Sequence, residues 1–288
     1  MVKVKIPATT ANMGPGFDTL GMALNLYNEI EITEDANVVN SEDNLVYKSM
    51  VKAFKACEYK YGNYKIEFTK CDVPMSRGLG SSATCIVGGI MAANAIMGNK
   101  LTEEAIINLA TEMEGHPDNV VPAIVGGMAV SIYDGEKVVY SKVNVPDNLR
   151  FVVIIPDFEV STSAARKVLP KDYSRNDCVF NVSRAAMLVT ALNNGEIDKI
   201  RTAFQDKIHE PYRKTLIKNI DEVFLKAKEL GSVGEFISGS GSTLIAVIHK
   251  DNEKFIIGMK KAFNELQIGW AIKELKTDLV GAKILIES

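Results

Sequence analysis

Hydrophobic and polar residues alternate at the start of the chain, where valine and isoleucine are separated by lysine over residues 2–6. A period of two is typical of a half-exposed strand, and Pro7 is expected to end it. Similar alternation over residues 23–33 and 64–72 predicts two more strands. Between them, apolar residues recur at helical spacing over 45–60, which predicts an amphipathic helix.

Residues 74–84, with the sequence PMSRGLGSSAT, precede a run of small apolar residues over 85–95. Two glycines, two serines and then this run predict a tight loop that opens a buried helix. The first turn of a helix has free N–H groups and the positive end of the helix dipole, so it suits an anion such as phosphate. Comparable turns also occur without a ligand, and the lysine of the Walker A motif is missing here, so this interpretation depends on the rest of the chain.

Two further elements are predicted after this helix. Residues 103–113 predict a helix with Thr102 as its N-cap. Residues 128–143 predict a hairpin, closed by the two-residue turn Asp134-Gly135.

A short polar connector over residues 145–148 predicts a boundary between two domains, 1–147 and 148–288. The second domain begins with an apolar strand over 151–155 and contains a glycine-rich turn at 238–242. Its mixture of helices and antiparallel strands predicts an α+β arrangement. Its helices are expected over 174–194, 196–205, 211–230 and 252–266.

The composition narrows the function. With a net charge of −3, the 288-residue chain has no basic footprint, so no nucleic-acid partner is expected. The lysines over residues 48–60 recur at helical spacing and are interpreted as a solvated helix face. No apolar run approaches the ~20 residues of a membrane span, so no membrane partner is expected. The four cysteines form no CxxC pair, which favours a reduced, cytoplasmic protein.

Polar residues in unusual positions are the first candidates for catalytic or binding residues. Asn12 and Asp18 lie in a Gly- and Pro-rich loop over residues 7–21; loops often carry functional groups, although most polar loop residues only close turns. Glu112 and Glu114 lie near the C-terminal end of a predicted helix, where the helix dipole disfavours a carboxylate. Such a pair indicates either a functional site or an ordinary exposed helix surface.

Three glycine-containing segments, at residues 7–21, 74–84 and 238–242, together resemble the three motifs of the GHMP kinases in order and separation. Within that superfamily, the segments PATTANMGPGFDTLG, EGHPDNVVPAIVGG and TSAAR…HEPYR are most similar to homoserine kinases. The resemblance implies an α+β fold of two domains. The N-terminal domain would be a left-handed β-α-β domain like that of a ribosomal small-subunit protein, and the C-terminal domain would be ferredoxin-like.

The same resemblance implies that the chain uses ATP and Mg²⁺. The phosphates are expected against the glycine loop, and Ser82 and Glu112 are expected to hold Mg²⁺, which prefers a few hard oxygen ligands together with phosphate oxygens and water. The adenine is expected near the start of the helix at 45–60. By position, the nucleotide site comprises Asn44, Leu45, Pro74, Met75, Ser76, Arg77, Gly78, Leu79, Gly80, Ser81, Ser82, Ala83 and Thr84.

A site for L-homoserine is also implied by position. A zwitterionic amino acid needs a carboxylate for its ammonium group, which suits Asp18, and a guanidinium for its carboxylate, which suits Arg166 or Arg213. Asn119 is expected at the hydroxyl group and, with Ser82 and Glu112, forms the catalytic set. The full amino-acid site comprises Asn12, Asp18, His116, Asn119, Thr162, Arg166 and Arg213.

Asn119 stands where mevalonate-type relatives have Asp, and an amide cannot accept a proton in that role. We therefore expect no dedicated side-chain base, and transfer that depends on positioning and electrostatics. The expected reaction is ATP-dependent phosphorylation of the L-homoserine hydroxyl, a step in threonine biosynthesis. A GHMP kinase for another small alcohol and a non-catalytic binding protein on the same fold are the alternatives. Exposed sheet edges in the second domain make a homodimer plausible.

Overall fold

The structure, a computed structural model, describes residues 1–41 and 43–285. Two antiparallel sheets carry helices on their faces. The strands are β1 (Val2–Ala11), β2 (Leu20–Glu34), β3 (Tyr64–Cys71), β4 (Met128–Tyr133), β5 (Val138–Val143), β6 (Leu149–Ile155), β7 (Gly234–Ile237), β8 (Leu244–His249), β9 (Ala271–Leu275) and β10 (Lys283–Leu285). The α-helices are α1 (Leu45–Ala56), α2 (Ser81–Ile96), α3 (Glu103–Glu114), α4 (Pro117–Val125), α5 (Thr162–Lys167), α6 (Arg175–Asn194), α7 (Ile197–Ala203), α8 (Glu210–Arg213), α9 (Ile220–Glu229) and α10 (Phe255–Glu265). Across these described residues, no helix combines the length and apolar character of a bilayer-spanning segment.

The first sheet has the strand order β10-β1-β2-β4-β5, and β3 pairs with the C-terminal half of β2. The predicted alternation places Ile6 of β1 and Ile30 of β2 in the core. The prediction that the first strand stops at Pro7 is wrong, because β1 continues to Ala11. A register shift between Pro7 and Ala8 lets the strand pairing continue past the residue that lacks an N–H.

Helix α2 lies at the centre of the first sheet's helical layer, packed on β1 and flanked by α1 and α3. Ile86, Val87 and Ile90 on this helix are buried, as the apolar run predicts. Burial of each such side chain contributes about 1.5–3 kcal/mol. The core therefore fixes the position of the start of α2, so a ligand bound there meets a rigid helix terminus.

The second sheet has the strand order β7-β8-β6-β9. Strand β6 is apolar at consecutive positions because both of its faces are covered. Phe151 and Val153 face a core that includes α6 and α7, whereas Val152 and Ile154 face a core that includes α9 and α10. The first of these cores also contains Leu20 of β2, so the two sheets share packed side chains.

The end of the described chain returns to the first sheet, where β10 pairs with β1. The second sheet is built entirely from strands between β6 and β9. The predicted boundary between residues 147 and 148 stays a prediction. Residues 286–288 of the predicted second domain lie outside the described residues.

Two predicted elements differ in the structure. The hairpin of β4 and β5 closes with four residues rather than with the two-residue turn Asp134-Gly135, because Tyr133 pairs with Val138. The Asp134 carboxylate accepts two backbone N–H groups within this turn, which stabilises the longer form. The predicted helix over 211–230 is interrupted, because Asn219 has a left-handed φ of 63° that no right-handed helix allows.

Glu210, the first residue of α8, leads to a prediction about stability. Its carboxyl oxygen accepts the N–H of Ile237 at 2.8 Å. Burial, together with the nearby charge of Asp206, raises the pKa of the Glu210 carboxyl from 4.5 to about 8. The Glu210 carboxyl therefore ionises at lower pH in the unfolded chain than in the folded chain. Its contribution to folding is largest at acidic pH and is lost as the pH rises toward 8.

The substitution Glu210→Gln keeps an acceptor for the Ile237 N–H and removes the titration. We expect the free energy of unfolding of the natural chain, relative to the variant, to fall by about 1.4 kcal/mol per pH unit between about pH 5 and pH 8. Urea denaturation across this range measures the difference. Glu229→Gln on α9 is the matched control, because the Glu229 side chain is 52% exposed. Parallel stability curves for the natural chain and Glu210→Gln would contradict the assigned burial of a neutral carboxyl.

Candidate active site

The N-terminus of α2 opens into a cavity. Its N-cap is Gly80, with a φ of 70°, and no side chain caps the first turn. A Cβ atom at Gly80 would lie 2.0 Å from Thr9 Oγ1, and a Cβ atom at Gly78 would lie 2.1 Å from Ser238 O. Both positions therefore require glycine, and the first-turn N–H groups stay free of side-chain caps, as an anion site needs.

The cavity has a volume of about 370 Å³, and the three glycine-containing segments of the sequence all contribute to its wall. Residues that are more than 200 positions apart in the chain, such as Asn12 and Ser240, meet in it. All seven residues predicted for the amino-acid site line it: Asn12, Asp18, His116, Asn119, Thr162, Arg166 and Arg213.

The residues predicted for the nucleotide divide into two groups. Those that line the cavity are Leu45, Met75, Ser76, Gly78, Gly80, Ser81 and Ser82. Those that do not line it are Asn44, Pro74, Arg77, Leu79, Ala83 and Thr84. Asn44 instead caps α1 by accepting backbone N–H groups, and Leu79 and Ala83 are fully buried in the core.

Ser82 pairs with a different glutamate from the predicted one. Its Oγ donates to Glu114 Oε2 at 2.8 Å, whereas the exposed Glu112 side chain lies 2.6 Å from Lys52 Nζ. The predicted pairing of Ser82 with Glu112 is therefore wrong. Residues two positions apart on a helix point about 200° apart, so only one of these glutamates can face α2.

Ser82 and Glu114 fit a magnesium ion. Burial raises the pKa of the Glu114 carboxyl, although the Ser82 hydrogen bond and His116 act in the opposite direction. Glu114 is also the last residue of α3, where the helix dipole opposes a negative charge. A divalent cation would offset both penalties, and one hydroxyl and one carboxylate leave room for the phosphate oxygens and water that Mg²⁺ prefers.

Asn119 of α4 is held in one orientation. Thr9 Oγ1 donates to its Oδ1 at 2.8 Å, which leaves the Nδ2 hydrogens to donate into the cavity. Three residues before Asn119, His116 Nδ1 lies 2.5 Å from Asp118 Oδ1. Burial disfavours the imidazolium, but the Asp118 hydrogen bond and nearby carboxylates raise the pKa of His116 overall. The cavity thus holds an amide donor beside a histidine that favours its charged form.

Asp18 and Arg166 form a bidentate ion pair, with distances of 2.9 and 3.0 Å between guanidinium nitrogens and carboxylate oxygens. Asn12 Oδ1 accepts the N–H of Asp18 at 2.9 Å, and its Nδ2 donates to Gly239 O at 2.7 Å. Both Asn12 and Asp18 have left-handed backbone conformations, which Asn and Asp tolerate better than most residues. This local strain holds the carboxylate of Asp18 toward the cavity.

Arg213 is the second guanidinium of the cavity and is 2% exposed. Its Nη1 donates to Gly239 O at 2.8 Å, and the guanidinium carbon lies 5.0 Å from the centroid of the Phe17 ring. Burial lowers the pKa of Arg213. Whereas Arg166 pairs with Asp18, no carboxylate of the described chain forms an ion pair with Arg213. Arg213 is therefore the better placed of the two cations for an anionic ligand.

A larger groove, of about 480 Å³, lies between α1 and α3. Lys48, Lys52 and Lys55 line it. Lys48 and Lys55 are exposed, as the predicted solvated helix face requires, and this face borders the groove. Leu45 lines both this groove and the cavity. The residues that line the groove include neither the glycine loop nor Asp18, Asn119 and the two arginines of the cavity. The smaller cavity is therefore the candidate active site.

Sequence reasoning named Glu114 as a candidate without giving it a role, and it missed two other contributors to the site, Thr9 and Phe17. Glu114, which precedes the helix-ending Gly115, faces Ser82. Thr9 orients Asn119 from 110 residues away, and the Phe17 ring lies close to both Arg166 and Arg213. The position of Glu114 beside Gly115 was a usable signal, whereas the roles of Thr9 and Phe17 arise only from long-range contacts.

The chain is similar to known proteins over 99% of its length. The family model described as GHMP kinases N terminal domain matches residues 44–127, and the model described as GHMP kinases C terminal matches residues 188–264. The homoserine kinase of Clostridium kluyveri is 58% identical, over 99% of this chain and 98% of that protein. The homoserine kinase of Clostridium novyi is 55% identical, over 99% of each. The crystal structure of homoserine kinase from Cytophaga hutchinsonii has a TM-score of 0.88 at 30% identity, over 99% of this chain and 97% of that chain. The predicted two-part α+β fold is thereby confirmed.

Proposed function

The chain belongs to the homoserine kinases of the GHMP kinase family, and from this premise we propose that it transfers the γ-phosphoryl group of ATP to the side-chain hydroxyl of L-homoserine. The product is O-phospho-L-homoserine, an intermediate of threonine biosynthesis, and the reaction uses Mg²⁺. One observation carries the proposal. A single cavity joins an uncapped helix N-terminus to a carboxylate and two guanidinium groups, which is what a triphosphate and a zwitterionic amino acid together require.

The zwitterion is bound by groups of opposite charge. Asp18 receives the ammonium group, and Arg213 binds the carboxylate with its planar fork. Arg166, paired with Asp18 in the structure, adds positive charge on the same side of the cavity. A substrate bound in this way presents its hydroxyl to Asn119, whose Nδ2 donates to the hydroxyl oxygen and orients it.

The phosphates would lie against the start of α2, whose first two residues, Ser81 and Ser82, line the cavity. Ser82 and Glu114 would hold the magnesium ion, in place of the predicted Ser82 and Glu112. When bound, Mg²⁺ neutralises phosphate charge that builds up during transfer. The helix N-terminus adds a fixed positive potential at the same phosphates, and the adenosine part extends past Leu45 toward the groove between α1 and α3.

Among the described residues that line the cavity, no carboxylate is free to take the hydroxyl proton. Asp18 pairs with Arg166 and Glu114 accepts from Ser82, while Asp118, which does not line the cavity, contacts His116. Asn119 cannot accept a proton. Transfer therefore depends on alignment and electrostatic stabilisation, with the proton leaving late to the transferred phosphate.

An ADP-release assay with several alcohols tests the proposal. We expect rapid ADP formation with L-homoserine and Mg²⁺, and no formation above background with mevalonate, because mevalonate has no ammonium group for Asp18. Chelation of Mg²⁺ is expected to stop the reaction. Turnover of mevalonate without turnover of L-homoserine would favour a kinase for another alcohol. ATP binding without ADP release would favour a binding protein on the same fold.

We also propose that the protein works in the cytoplasm, and four free cysteines support this location. The homodimer stays a prediction, which analytical ultracentrifugation would test.

A further inference from the structure

Arg77 lies inside the phosphate loop, but its side chain points away from the cavity. Its Nε donates to Pro156 O and its Nη2 to Asp157 O, both at 3.2 Å. Its Nη1 lies 3.3 Å from Glu159 Oε1, close enough for an ion pair although without hydrogen-bond geometry. One guanidinium thus contacts Pro156, Asp157 and Glu159, in the segment that follows β6 of the second sheet.

The backbone of the phosphate loop is tied to the same side of the molecule. The N–H of Val160 donates to Ser76 O at 3.3 Å, and the N–H of Thr243 donates to Arg77 O at 3.1 Å. Ser238 Oγ donates to Gly78 O at 2.6 Å. Three successive residues of the loop that would hold the triphosphate are therefore bonded to segments of the second half of the chain.

The segment held by Arg77 leads directly into the amino-acid site. Ser161, two residues beyond Glu159, caps α5 by accepting the N–H of Ala164. Helix α5 then places Thr162 and Arg166 in the cavity. Because α5 has only six residues, its position depends on the segment that precedes it. A shift of residues 156–160 would therefore displace Thr162 and Arg166 relative to Asp18, with which Arg166 pairs.

We propose that Arg77 is a positioning residue that couples the two substrate sites, so that occupation of the phosphate loop by ATP tightens the binding of L-homoserine. This inference rests on the proposed function. ATP orders the loop at residues 76–78, and Arg77 transmits that order to the segment that carries Thr162 and Arg166. The planar fork of the guanidinium is essential to this role, because it donates to two carbonyl groups and lies beside a carboxylate at once, in a fixed geometry. A lysine ammonium keeps the charge but not the geometry.

Isothermal titration calorimetry tests the coupling. The Kd of L-homoserine is measured with and without a non-hydrolysable ATP analogue and Mg²⁺, for the natural chain and for Arg77→Lys. For the natural chain we expect the analogue to lower the Kd of L-homoserine by about 5-fold or more, and L-homoserine to lower the Kd of the analogue by the same factor. For Arg77→Lys we expect this factor to fall to about one, with the Kd of the analogue alone changed less than about 3-fold.

Arg150→Lys is the matched control. The Arg150 side chain is 17% exposed, the same as that of Arg77, and it also donates to two backbone carbonyls and lies near a carboxylate. It does not line the cavity, so its substitution is expected to leave the coupling factor unchanged. Ser238→Ala removes a second tie to the loop and provides an independent variant should Arg77→Lys fold poorly. A partial loss of coupling is expected for it.

Four results would overturn the inference, three in the variants and one in the natural chain. The coupling factor in Arg77→Lys could equal that of the natural chain, or both variants at positions 77 and 150 could lower it alike. Alternatively, Arg77→Lys could lose binding of the ATP analogue itself, which would make Arg77 a phosphate ligand. Failure of the proposed function is separate, since it would appear as absence of L-homoserine turnover in the natural chain. Turnover without any coupling in the natural chain would overturn only the role of Arg77.

Discussion

The Glu114→Gln variant is expected to have a kcat lowered by roughly 10²–10³-fold, with little change in fold. Gln keeps an oxygen that accepts the hydrogen bond from Ser82, so the geometry of the contact is retained. It removes the negative charge that would hold Mg²⁺ beside the phosphates. Steady-state kinetics at saturating L-homoserine measure kcat, and electron paramagnetic resonance of added Mn²⁺ measures cation binding directly.

Glu112→Gln is the control for this prediction, because it is the same change two residues away on the same helix. Glu112 forms an exposed ion pair with Lys52, and exposed pairs of this kind contribute only about 0–1 kcal/mol to stability. We expect its kcat to stay within about 3-fold of the natural value. A large loss of activity in Glu112→Gln with near-normal activity in Glu114→Gln would reverse the assignment made from the Ser82 contact.

Arg213→Lys is expected to raise the KM for L-homoserine by roughly 10²-fold, because hydrogen bonds to charged groups contribute about 1.5–3 kcal/mol each. Lysine retains the charge and loses the fork that binds a carboxylate through two parallel bonds. The KM for ATP should change little, since we assign Arg213 to the carboxylate of the amino acid and not to the phosphates. Initial-rate kinetics with each substrate varied in turn separate the two constants.

A substrate analogue provides the control at position 213. The amino alcohol that has a CH₂OH group in place of the homoserine carboxylate cannot use the guanidinium fork. The natural chain and Arg213→Lys should therefore have similar kcat/KM values for this analogue. If the substitution lowers kcat/KM for the analogue as strongly as for L-homoserine, Arg213 would be supporting the cavity wall rather than binding the carboxylate.

Much of the site was predictable from local sequence. The glycine loop and the buried helix behind it follow from composition, because only small residues allow the chain to pass Thr9 and Ser238 so closely. Thr102 acts as the N-cap of α3, as expected. The seven residues predicted for the amino-acid site from the family resemblance all line one cavity.

The features that were not predictable depend on long-range packing. The choice between Glu112 and Glu114 requires knowledge of which side of α3 faces α2, and the sequence of α3 places polar residues on both sides. The side chain of Arg77 leaves the loop in which it lies because its partners are supplied by residues 156–159. The interruption at Asn219 follows from a single left-handed residue that helical periodicity does not reveal.

We propose above that the protein phosphorylates the hydroxyl of L-homoserine and that Glu114 binds the Mg²⁺ used in this reaction. Phosphorus-31 nuclear magnetic resonance of a reaction with L-homoserine, ATP and Mg²⁺ tests it directly. We predict a new phosphate monoester signal, split by the two protons of the adjacent CH₂ group, which grows as the γ-phosphate signal of ATP declines and which is nearly absent with Glu114→Gln over the same time. Release of inorganic phosphate alone, or an equal monoester signal from Glu114→Gln, would contradict the account.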